Sequence, residues 1–87
     1  MAIKKEFTAY NGTQCDFHGL ASFELHPHGI CIAKMGSYRE VLQAKLRQGE
    51  VVIRSFTLSG ISRSENIRHD IYQQIILLPE FSGGAQV

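Results

Sequence analysis

One helix signal stands alone in the middle of a chain that otherwise reads as strands, and it limits the available folds more than any other feature. Ser37 is followed three residues later by Glu40, the spacing of a capping box in which each side chain satisfies a free backbone N–H. Tyr38, Val41, Leu42 and Leu46 then recur at helical spacing, and Gly49 stands where a left-handed C-cap belongs. The spacing predicts a helix over 38–48. Its exit leads directly into Val51–Leu58, whose β-branched and aromatic content predicts a strand ended by Ser59-Gly60.

Upstream, residues 3–10 alternate: Ile3, Lys5, Phe7 and Ala9 fall on one side and Lys4, Glu6, Thr8 and Tyr10 on the other, the period of a half-buried strand before an Asn11-Gly12 turn. From Phe17 to Met35 two β-rich runs flank His26-Pro27-His28-Gly29 and predict a hairpin, because Pro fixes φ and Gly accepts positive φ. Ala21, Phe23 and Leu25 share one face of its first strand. The last segment has two readings. Ile67, Ile71, Ile75 and Leu78 match a helix, yet Ile67, His69, Ile71, Gln73, Ile75 and Leu77 alternate ahead of Pro79, and the strand is the reading adopted.

The resulting order, three strands, a helix and two strands, is that of a five-stranded OB barrel, a mainly β fold; a C-terminal helix would make it α+β instead. Eighty-seven residues leave room for one domain, expected over 1–81, with 82–87 as a linker-like, flexible tail. A chain this short buries only about 60–65% of its unfolded surface, so a homo-oligomer is expected. No apolar h-region opens the chain and its longest apolar run is Ile75–Leu78, so no membrane role and a cytoplasmic location are expected, with Cys15 and Cys31 as free thiols.

Tyr38 to Phe56, a helix ending in a basic residue and Gly before a strand, resembles the corresponding part of bacterial single-stranded-DNA-binding proteins. The chain departs from that family in having no Trp and no acidic tail. The resemblance implies an OB fold with a groove for a single strand. The residues carry that chemistry on their own terms: Arg54 and Phe56 lie two apart and so share a strand face, Arg63 and Arg68 flank a polar loop, and Tyr72 follows, supplying cations for phosphates and π-faces for bases. A buried Phe56 and Tyr72 with solvated arginines is the structural alternative.

Cys15, His18, His26, His28 and Cys31 are metal-ligand types, but their spacing does not match paired ligands in turns or on a helix, so no cofactor is expected. His69-Asp70 lacks the further His and Asp ligands of a metal-dependent hydrolase, and no Gly-rich phosphate loop precedes a helix. A net charge of +1 excludes the strongly basic balance of a dedicated duplex binder. The expected function is a non-catalytic, oligomeric module that binds single-stranded DNA or RNA through Arg54, Phe56, Arg63, Arg68 and Tyr72. The alternative is an assembly or adaptor protein that binds itself or a protein partner through an apolar face.

Overall fold

The computed structural model describes residues 1–87. Its centre is the predicted hairpin: strand β2 (Phe17–Leu25) and strand β3 (Cys31–Tyr38) pair antiparallel around a single 3-10 turn at Pro27–Gly29. Strand β4 (Val52–Leu58) pairs antiparallel with β3 in unbroken register, from Cys31 opposite Leu58 to Ser37 opposite Val52. Strand β1 (Ile3–Lys4) lies on the far side of β2, and strand β5 (Ala85–Gln86), in the segment read as a tail, pairs with β1. The spatial order is β4-β3-β2-β1-β5.

This five-stranded antiparallel sheet is open, so the expected barrel does not form. The strand that would have closed it is a helix, α2 (Ile67–Ile75). A strand over these residues would carry His69 and Gln73 into the core alongside Ile67, Ile71 and Ile75, and unpaired polar groups are costly there. The helix avoids this: Ile71 and Ile75 are fully buried while His69 and Gln73 face solvent. Each isoleucine contributes about 1.5–3 kcal/mol when buried in this way. They pack with Leu20, Cys31, Ala33, Met35, Leu58 and Phe81 into the main core, on one face of the sheet.

The central helix is shorter than the sequence signal, running as α1 over Val41–Leu46. Its expected capping box is absent: β3 continues through Tyr38, and the Ser37 hydroxyl lies 2.8 Å from Nδ1 of buried His18 instead of capping α1. Glu40 stands at the N-cap and makes no side-chain cap bond, while Arg47, not Gly49, is the left-handed C-cap with φ 56°. Helix α1 lies on the opposite sheet face from α2, over Gly19, while the Tyr38 ring folds over its cross-strand partner Gly36. A Cβ at Gly19 would stand 2.6 Å from the Ala44 carbonyl oxygen, so only a bare backbone allows this approach.

The expected first strand is regular only at Ile3–Lys4. Beyond it the chain runs beside residues 13–16 as a curled arm: the Lys5 N–H donates to the Asp16 carbonyl, the Cys15 N–H to Phe7, and the Ala9 N–H to Thr13. The predicted alternation holds, since Ile3 and Ala9 are buried and Lys4, Glu6, Thr8 and Tyr10 exposed. In β2 the register to β3 slips between Leu20 and Ser22, leaving Ala21 as a bulge, so Leu20 joins the core face with Phe23 and Leu25.

A candidate anion-binding cleft

The bulge beside Leu20 matters because β1 is too short to cover Leu20. The pairing of Ile3 with His18 would, two residues further, set Met1 against Leu20. A side chain stands there instead: the Leu20 N–H donates to the Tyr72 hydroxyl at 2.7 Å, and that hydroxyl donates to the Met1 carbonyl at 3.1 Å. Nη2 of Arg68 donates to the Leu20 carbonyl at 2.7 Å. Helix α2 thus satisfies the backbone that the short strand leaves open, and in doing so brings its first turns to the sheet edge where α1 ends.

Between the two helices lies a cleft of about 220 Å³. Ala44 and Tyr72 line its base, and Lys45, Arg47, Arg68 and His69 supply its polar groups. No acidic side chain lines it. The only ion pair within 4.0 Å in the molecule joins His26 to Glu24, so Lys45, Arg47 and Arg68 have no carboxylate partner. Arg68 is held by its bond to Leu20, which fixes its guanidinium while leaving other N–H groups free. Such a concentration of unneutralised positive charge is chemistry for an anion.

The five residues read from the sequence as a binding face do not form one. Arg68 and Tyr72 meet at this cleft, but the Tyr72 ring is 4% exposed and its hydroxyl is engaged at both lone pair and proton. Arg54 and Phe56 do share a strand face, directed inward. Phe56 is 9% exposed and packs edge-on against Phe81. The Arg54 guanidinium lies 3.9 Å from the Phe7 ring centre, with Phe81 and Phe56 at 5.3 and 5.5 Å. Its charge is stabilised by the ring faces, although burial lowers its pKa and Nε has no hydrogen-bond partner. Arg63 is exposed in the loop between β4 and α2 and does not line the cleft.

The sequence gives no reason to read Lys45, Arg47 or His69 as binding residues: Lys45 and Arg47 lie on or just after a helix, and His69 stands out only beside Asp70. The one local signal for them was the basic exit of α1; their meeting with Arg68 depends on α2 crossing the open edge of β2, which no spacing along the chain encodes. The remaining polar candidates are structural. His18 is fully buried, its Nε2–H donating to the Lys5 carbonyl and Nδ1 facing Ser37, and burial holds its pKa below the usual range. Burial raises the pKa of both Cys15 and Cys31. No three of the His, Cys, Asp and Glu side chains converge, and no helix is long and apolar enough to cross a membrane. No family model, curated protein or solved structure matches the chain.

Proposed function

We propose that the protein is a small, non-catalytic module that binds single-stranded nucleic acid by its phosphates, in the cleft between α1 and α2. The observation that carries this reading is the grouping of Lys45, Arg47, Arg68 and His69 in a cleft that no acidic side chain lines. A net charge of +1 with one localised basic cleft suits a few phosphates of a flexible strand, whereas a duplex binder carries a longer basic stripe. With Phe56 and Tyr72 buried, binding rests on phosphate contacts and is indifferent to base sequence.

The test is a salt titration of oligonucleotide binding. Three phosphate contacts to a single strand give a slope of log K against log salt of about −2, since each contributes roughly −0.7. Lys45→Gln and Arg47→Gln should each flatten that slope by about 0.7, and Arg63→Gln, outside the cleft, should leave it nearly unchanged. Absence of oligonucleotide binding at low salt, or binding that Lys45→Gln and Arg47→Gln together do not weaken, would reject the proposal.

A further inference from the structure

The sheet has a second unsatisfied surface, its β4 edge, and this surface selects a different kind of partner. Residues 52–58 bond through the backbone only to β3, and no loop or side chain hydrogen-bonds to their other edge. The competing edges are already limited: β5 has two residues, and β2 beyond β1 is engaged at Leu20 by Tyr72 and Arg68. Edge strands are commonly protected by Lys, Pro, bulges or very short length. Strand β4 has seven residues, no Lys, no Pro and an unbroken register. Its one charge, Arg54, is folded inward onto Phe7 and so does not guard the edge.

We infer that two copies of this chain pair antiparallel along β4, with Ser55 on the two-fold axis. A row of free backbone donors and acceptors is a template for another strand, and a two-fold axis perpendicular to the sheet supplies an antiparallel one with the same face inward. Residues directly opposite must lie on the same face, which restricts the register to steps of two. Centring on Ser55 engages all seven residues of β4. It sets Arg54 opposite the partner copy's Phe56, Val52 opposite its Leu58, and Ile53, 48% exposed in the single chain, opposite its Thr57. Moving the centre to Arg54 would shorten the overlap to Val52–Phe56 and oppose two guanidinium groups, which is unfavourable. This register sets a cation against an aromatic ring and Val52 against Leu58 on both sides of the axis, favourable cross-strand pairs that point to a second copy as the occupant. The inference is independent of the anion-binding reading, because no residue of the cleft lies on β4.

Sedimentation equilibrium up to about 200 µM should show the mass rising from 9.8 kDa toward twice that value. Ser55→Asp, at an exposed position, sets two carboxylates against each other and should weaken the dimer by about tenfold or more while circular dichroism stays unchanged. Opposed Cβ atoms on antiparallel neighbours stand about 4.5–5.5 Å apart, near disulfide range. Oxidation should therefore link Ser55→Cys into a covalent dimer and leave Ser22→Cys, exposed on β2, unlinked. A monomer at every concentration would overturn the inference. So would a dimer that Ser55→Asp leaves intact and Ser55→Cys does not link, since another surface would then hold it.

Discussion

At the scale of single residues, Phe56 and His18 show how firmly this small core commits its polar and aromatic groups. Phe56 lies beneath the Arg54 guanidinium and against Phe81, so its truncation removes a ring that several groups pack on. Phe56→Ala should cost about 3–5 kcal/mol of folding free energy, read from urea unfolding; a loss below about 1 kcal/mol would place the ring outside the core. His18 is buried in its neutral form, and its pKa is lowered chiefly by burial, with the nearby Arg54 charge adding to the shift. The unfolded chain therefore takes up a proton more readily than the folded one. Stability is full above about 6.5, the ordinary histidine value, and falls as pH drops below it toward the folded value. Urea midpoints measured between about pH 7.5 and 5.5 should decline in the parent and decline less in His18→Gln.

At the scale of elements, α1 depends on Gly19, whose bare backbone lets the Ala44 carbonyl approach. Its six residues are too few to hold a helix by propensity, so docking against the sheet must stabilise it. Gly19→Ala would drive a methyl to 2.6 Å from the Ala44 carbonyl and should destabilise the protein by about 1–3 kcal/mol, measured by thermal or urea unfolding. The shift should also disturb Lys45 in the last turn of α1 and Arg47 at its C-cap. Helix α2 teaches the complementary lesson. Both of its periodicities are present in the sequence, and the choice between them rests on which one keeps His69 and Gln73 in water once β2, β3 and β4 present an apolar face. The Ser37 signal failed for a related reason, because a buried imidazole and a continuing strand engaged the hydroxyl first.

At the scale of the whole molecule, the two cysteines report on how the parts hold together. Cys15 belongs to the curled arm and Cys31 to the central sheet, both fully buried and both with raised pKa. Neither should react with a thiol reagent in the native state, and both should become reactive on unfolding; early labelling of Cys15 alone would show that the arm opens separately. The sequence by itself determined the hairpin around Pro27, the strand expected over 51–58 and found at 52–58, the inward and outward alternation of residues 3–10 and the presence of one central helix, because each follows from local periodicity and turn chemistry. Tertiary structure alone decided that the sheet stays open, that residues 67–75 are helical, and that Lys45 and Arg47 meet Arg68 and His69. Those outcomes depend on which apolar face needs covering and which backbone groups a short β1 leaves unsatisfied, and both are properties of the assembled chain.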